Sequence, residues 1–509
     1  MSVCWRGQPQ LQEVDGRMGR DVPAIVVSHA DRRRYREKVR SCLDVLARML
    51  RDSQFPTGPE QVGLEVEFNL VDEAGSPAMC NTDVLAAIND PNWGPELGLF
   101  NIEVNMAPRL LAGDALATLE DLLADSYNRA DTRARQRGAR LAMIGILPSL
   151  REYHATEEAM SPNPRDQLLN EQICAARGEE MQISIEGPER LLTHTPSIMP
   201  EAACTSVQCH LQVSPELFGP YWNAAQAVAG VQVALAANSP YLFGRELWQE
   251  TRIPLFMQAT DTRPEELQAQ GVRPRVWFGE RWITSVFDLF EENLRYFPSL
   301  LPLVEDEDPV AELAGGGIPQ LSELTLHNGT VYRWNRPVYA VAAGEPHLRV
   351  ENRVLPAGPT VTDVVANAAF YYGLVHMLVE AERPIWSQMS FAAAHDNLME
   401  GARHGLEARL YWPGLGEVPA AELTLRRLLG LAYEGLCLRG VDTREAERLL
   451  GVIEQRCLIG RTGATWQTET VHALQERSGL DRDTALREMT QRYLKLMNTG
   501  EPAHSWPVA

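Results

Sequence analysis

The sequence predicts an α+β fold: a sheet of about six strands with flanking helices, extended by helical N- and C-terminal parts. Three observations carry this. Short stretches between residues 61 and 385 alternate apolar and polar side chains, as half-buried strands do; helical stretches and Pro- or Gly-bearing loops separate them; and beyond Trp386 leucines recur at helical spacing while strands become hard to find. The chain divides accordingly into an N-terminal helical arm (1–60), a core (61–385) and a helical C-terminal part (386–509).

In the arm a polar segment precedes Ala30–Arg51, where Tyr35, Val39, Leu43, Leu46 and Leu50 form the apolar stripe of an amphipathic helix. Asp31-Arg32-Arg33-Arg34 reads as its solvated start. The core opens with Gly63-Leu64-Glu65-Val66-Glu67-Phe68-Asn69-Leu70, whose strict alternation puts Glu65, Glu67 and Asn69 on one face and the apolar residues on the other. Phe100–Met106 repeats the design with Asn101, Glu103 and Asn105. Ala115–Gly138 follows as a helix, Ala142–Leu147 as an apolar strand covered on both faces, and Met181–Glu186 as another alternating strand. Thr205–Val213 aligns Ser206, Gln208, His210 and Gln212. Trp222–Ala237 reads as a buried helix stopped at Asn238-Ser239-Pro240. His347–Val354 aligns His347, Arg349, Glu351 and Arg353, with Asn352 interrupting its apolar face. In the C-terminal part Leu406, Leu410, Leu425, Leu428, Leu431, Leu449, Ile453, Leu474 and Leu486 lie in helical contexts, and the tail 502–509 is expected to be loose.

Any one of the four polar-faced strands could be an ordinary antiparallel strand with a wet face. Together they are unusual, because the polar faces carry Glu, Asn, Gln, His and Arg without Lys. In one sheet these faces would converge on an acidic cleft whose repulsion protons, arginines or cations must relieve, and an oxygen-rich cleft with one imidazole suits Mg²⁺ or Mn²⁺ better than zinc.

The formal net charge of -21 and pI near 5.1 disfavour nucleic acid and anionic membrane surfaces as partners. Lys38 and Lys495 are the only lysines, which excludes a P-loop and a protein kinase and disfavours Schiff-base or PLP chemistry. Gly315-Gly316-Gly317 is therefore read as a flexible loop. The eight cysteines include no Cys-x-x-Cys, and neither a signal core nor a run of about eighteen apolar residues occurs. These features lead us to expect a cytoplasmic protein acting on small molecules; a homo-oligomer is compatible with them.

The ordered set Gly63-Leu64-Glu65-Val66-Glu67, Asn101-Ile102-Glu103-Val104-Asn105, Ala202–His210, Ala237-Asn238-Ser239-Pro240 and Arg349-Val350-Glu351-Asn352-Arg353 resembles the glutamate-cysteine ligase family, in particular its bacterial carboxylate-amine ligase branch, over roughly residues 60–410. The resemblance implies a glutamine synthetase-like catalytic core, in which an antiparallel sheet curls into a funnel. It also implies ATP-dependent amide formation through an acyl phosphate, usually on the γ-carboxylate of glutamate, with cysteine the first amine to try. Carried onto this sequence, it makes Glu65, Glu67, Glu103, His210 and Glu351 metal ligands, with Glu96 a further candidate, for Mg²⁺ or Mn²⁺. Arg353 would contact the transferred phosphoryl group, and Arg252 and Arg336 would bind substrate. The alternatives are a ligase for another acid and amine, and a nucleotide-binding regulatory relative without turnover.

Overall fold

The computed structural model describes residues 28–508 apart from 57 and 59. Its main sheet has seven strands: β1 (Gln61–Val71), β2 (Trp93–Pro95), β3 (Asn101–Leu110), β4 (Arg140–Ala142), β5 (Ser206–Val213), β6 (Asn335–Ala342) and β7 (Glu345–Pro356). Six run in the order β6-β7-β5-β1-β3-β2, with β4 beside the end of β1, and every pairing is antiparallel. The sheet curls into a half-barrel, as expected.

The alternation in β1 works as read: Leu64, Val66, Phe68 and Leu70 are buried in the core. The opposite face is also largely enclosed, since Glu65 and Glu67 are buried too. Behind the sheet lie α3 (Pro215–Ala236) and α4 (Val361–Val379), whose side chains reach strand backbone: Trp222 Nε1 donates to Asn335 O at 2.8 Å and Tyr372 Oη to Gly63 O at 2.8 Å. Before them in the chain come α1 (His29–Arg51), started by a Ser28/Asp31 capping box, and α2 (Ala115–Arg135). Asn352, the polar interruption on the apolar face of β7, is fully employed. It exchanges hydrogen bonds with Gln232 of α3 and donates to Asn335 Oδ1 at 2.8 Å.

Four expectations need correction, the first being Leu410, expected in a helical context but found in the strand Arg409–Trp412, which pairs with Gly416–Pro419. Met181–Glu186 is a strand, but it pairs with Arg190–Thr195 in a separate hairpin. Of Ala142–Leu147 only Ala142 belongs to a strand; residues 143–147 are a buried loop. That loop can be buried because side chains replace the ladder: Asn69 Nδ2 and Thr205 Oγ1 donate to Ile144 O, and Tyr493 Oη donates to Met143 O at 2.7 Å. The sheet is completed instead by β2 and by β6, whose Pro337 is tolerated because β6 is an edge strand. Finally, the tail is docked: Trp506 is buried against Trp466 and Tyr493, and Ala503 N donates to Asp363 Oδ2 at 3.0 Å.

C-terminal to β7, α5 (Phe391–His404), α6 (Leu429–Leu438), α7 (Gly463–Ser478) and α8 (Arg482–Met497) cover the back of the core, α7 and α8 through Gln467 and Tyr493, which bind the Asn238 turn. Among the described residues no helix is long and apolar enough to cross a membrane. Two helix crossings are closed by glycine pairs, Gly230 with Gly401 and Gly373 with Gly435, where backbones nearly touch. A Cβ on Gly401 would lie 2.3 Å from Gly230 O. Gly401→Ala should therefore cost about 1–3 kcal/mol by overpacking, read as a lower Tm. Gly451→Ala is the control, since a Cβ there, in the helix Thr443–Ile459, would meet no atom within 4 Å; it should leave Tm unchanged or raise it.

Candidate active site

Strand register assembles the polar face. Glu67 of β1 lies opposite Glu103 of β3, Glu65 opposite Gln208 of β5, and Gly63 opposite His210. His210 in turn lies opposite Glu351 of β7, and Glu351 opposite Arg336 of β6. Glu96 directly follows β2, whose Gly94 pairs with Glu103. The result is two neighbouring triads, Glu65/His210/Glu351 and Glu67/Glu96/Glu103, with the potential ligand atoms of each lying within 4.8 Å of one another. All six residues named from the sequence as metal ligands are thus brought together.

The first triad is surrounded by guanidinium groups. Arg336 grips both oxygens of Glu351, with Nη2 2.9 Å from Oε1, and Arg353 Nη1 donates to the same Oε1 at 3.0 Å. Burial alone would raise the Glu351 pKa, but Arg336 and Arg353 outweigh it and hold the carboxyl well below its usual range. Glu65 follows the same logic: burial opposes ionisation, and His210 beside it, with Arg349 further off, brings its pKa below normal. Arg349 Nε donates to His210 Nδ1 at 3.1 Å, fixing the ring. His210 Nε2 then lies 2.9 Å from Glu65 Oε1, out of hydrogen-bonding alignment, and is buried with no hydrogen-bond partner among the described residues.

The second triad has mostly neutral donors. Glu67 accepts from Ser206 N at 2.7 Å, Ser206 Oγ at 2.8 Å and Gln208 Nε2 at 3.0 Å; Glu103 accepts from Gln208 Nε2 at 3.2 Å and Asn105 Nδ2 at 3.1 Å. Burial first, and then the repulsion of neighbouring carboxylates, pushes Glu96 and Glu103 well above the normal carboxyl range. Glu67 is raised less, because Arg353 and the Ser206 hydrogen bonds oppose its burial. Two carboxylates beside an imidazole, next to three carboxylates short of counter-charge, make a donor set that fits hard divalent cations, with His210 Nε2 able to join it once the ring proton sits on Nδ1 and Arg349 no longer donates there.

Arg353 projects into the cleft, its Nη1 shared between Glu351 and Gln208 Oε1. Arg336 is in the site too, clamped on Glu351. Arg252 is placed differently. It is 3% exposed, and its guanidinium binds Glu250 Oε1 through Nε at 2.7 Å and Val354 O through Nη2 at 2.7 Å. The sequence reading did not single out Gln208, Ser206 and Arg349 as site residues, although all lie on the polar faces it described. It missed Glu201, in a short helical turn before β5, whose carboxyl burial and the Glu67 charge push up to about 8. Nothing in a local pattern could have flagged a residue that only the turn brings near the cleft.

A family model, Glutamate-cysteine ligase family 2 (GCS2), matches residues 61–491. Among solved structures, the glutamate-cysteine ligase of Francisella tularensis in complex with AMP superposes with a TM-score of 0.52 at 13% identity, over 90% of this chain and 91% of that one. The bifunctional glutathione synthetase of Pasteurella multocida gives 0.48 at 13% identity, over 90% of this chain and 55% of that longer one. No curated protein sequence matches.

The raised carboxyls carry a pH signature. They retain protons in the folded protein at pH values where the unfolded chain has released them, so their contribution to stability is complete below the unfolded pKa and is lost as pH rises through the folded one, about 8 for Glu201. Metal-free protein should melt higher at pH 6 than at pH 8. Glu103→Gln should narrow that gap by removing one of the repelling charges, and saturating Mg²⁺ with ATP should narrow it by neutralising them. Thermal denaturation across this range checks all three.

Proposed function

The chain belongs to the glutamate-cysteine ligase family and is an ATP-dependent carbon–nitrogen ligase, and we propose that it joins the γ-carboxylate of glutamate to an amine, cysteine being the first to test. The observation that carries this reading is the pair of triads with Arg353 between them.

A carboxylate resists attack by an amine until one of its oxygens becomes part of a leaving group. In the proposed reaction a carboxylate oxygen attacks the γ-phosphorus of ATP and ADP departs, leaving an acyl phosphate. The amine nitrogen then attacks the acyl carbon, phosphate leaves, and the nitrogen loses a proton. Mg²⁺ or Mn²⁺, when held by Glu65, His210 and Glu351 and by Glu67, Glu96 and Glu103, would neutralise phosphate charge during the transfer. The chain's own groups supply order. Arg336 fixes the plane of Glu351, Arg349 fixes the His210 ring so that Nε2 faces Glu65, and Ser206 and Gln208 orient Glu67. Arg353, more open than Arg336 or Arg252, is the group that in this reading meets the transferring phosphoryl. Mounting these side chains on adjacent strands holds them to the tolerance that positioning catalysis needs.

Incubation with ATP, Mg²⁺, glutamate and a panel of amines should yield ADP and a product with the mass of a γ-glutamyl amide. ADP formed only with another acid would identify a different acid and amine pair, and nucleotide binding without ADP under every combination would overturn catalysis. Arg353→Ala should reduce turnover on the order of a hundredfold or more while changing nucleotide affinity far less. Glu65→Gln and Glu351→Gln should weaken metal-dependent nucleotide binding as well, since a neutral amide is a poorer ligand for a hard cation. Turnover, nucleotide affinity and melting measured on the same preparations separate these effects from misfolding.

A further inference from the structure

Arg353 sits in an irregularity of β7. Against β5, Asn352 pairs with Cys209 and Leu355 with Val207, so three steps along β7 match two along β5, a bulge at Arg353 and Val354. A bulge re-aims the side chain it carries and leaves backbone groups outside the ladder. Here Arg353 N is taken by Trp334 O at 2.9 Å, and Val354 O receives Nη2 of Arg252 at 2.7 Å. The guanidinium is itself anchored through Nε to Glu250, which is wholly buried. Glu250 accepts two more hydrogen bonds, from Asn238 N at 2.9 Å and Ser239 Oγ at 2.6 Å, at the end of α3.

We propose that Arg252, anchored by Glu250, is a positioning residue that pins the Val354 carbonyl in the bulge and so sets Arg353 where its Nη1 meets both Glu351 and Gln208. The proposal rests on the ligase reading for its kinetic consequences and on geometry alone for its structural one. A substrate-binding Arg would need donors open to the cleft, whereas two nitrogens of this buried guanidinium are committed to protein oxygens. A pair serving stability alone could bind any carbonyl, whereas this one binds the carbonyl next to Arg353.

Arg252→Lys tests it, because one ammonium keeps the charge but cannot reproduce the planar fork that spans Glu250 and Val354 O. With the ligase assay, kcat should fall by up to about a hundredfold, the cost of misplacing a catalytic group by about an ångström, at unchanged KM for ATP and for the acid. Combined with Arg353→Ala, Arg252→Lys should add no further loss. A raised KM for the acid at unchanged kcat, full kcat in the folded variant, or independent multiplicative losses in the double variant would each overturn the proposal. A crystal structure of Arg252→Lys gives a readout independent of turnover: Arg353 should leave Gln208, and an unmoved Arg353 overturns the proposal even if wild-type protein makes no amide, a result that by itself would sink only the ligase reading. Should Arg252→Lys fail to fold, Glu250→Gln, which keeps every donor of Arg252 and loosens its anchor, is read by the same kinetic, double-variant and structural criteria.

Discussion

Six side chains able to bind a cation, five of them carboxylates, converge from β1, β3, β5, β7 and the end of β2, and the rest of the site is arranged around their mutual repulsion. The two triads meet it differently. Around Glu351 the chain uses guanidinium groups, whose planar fork matches a carboxylate and which stay charged when buried. Lysine, which occurs only at positions 38 and 495, could not have served so well there, being a strongly hydrated point charge that is readily neutralised by burial. Around Glu67, Glu96 and Glu103 most donors are neutral, and burial with mutual repulsion favours the protonated form of Glu96 and Glu103. One half of the site is therefore charged and ordered beforehand, and the other holds protons that a bound cation would displace.

Such a site needs a stiff support, which the back of the sheet supplies. The helices there approach closely enough that glycine is required where they cross, and strand backbone is gripped by buried polar side chains as well as by apolar packing. Asn352, Gln232, Asn335 and Gln226 form a chain of side-chain hydrogen bonds within the core. Satisfied networks of this kind specify one arrangement where apolar packing alone would permit sliding.

The strands with polar faces were legible because alternation is local: β1, β3, β5 and β7 appear where the pattern puts them, and so do their inward carboxylates. What failed depended on partners distant in sequence. Met143–Leu147 is apolar enough for a buried strand, yet Asn69, Thr205 and Tyr493 supply the hydrogen bonds that let it remain a loop. Met181–Glu186 alternates correctly, but alternation does not say which sheet a strand joins. β6 was hidden by Pro337, a residue that disqualifies a central strand and is harmless at an edge. The division into two triads was equally hidden, since it follows from the register of four strand pairings, and the docked tail follows from a tryptophan pocket built by α7 and α8.

Gln208 shows how the two halves are joined. Its carbonyl oxygen accepts from Arg353, while its amide nitrogen donates to Glu67 at 3.0 Å and to Glu103 at 3.2 Å. The orientation of the amide is determined by these neighbours, since reversing it would set NH₂ against a guanidinium and oxygen against two carboxylates. Glutamate at this position would add another negative charge to the triad already short of positive ones, and lysine would offer Arg353 no acceptor. An uncharged group with a donor at one end and an acceptor at the other meets both demands, so the charge of Arg353 is tied to the second triad without being spent on it. Arg353 thereby keeps its charge beside the second triad, as the proposed contact with a transferring phosphoryl requires, while the same amide holds Glu67 and Glu103 in place.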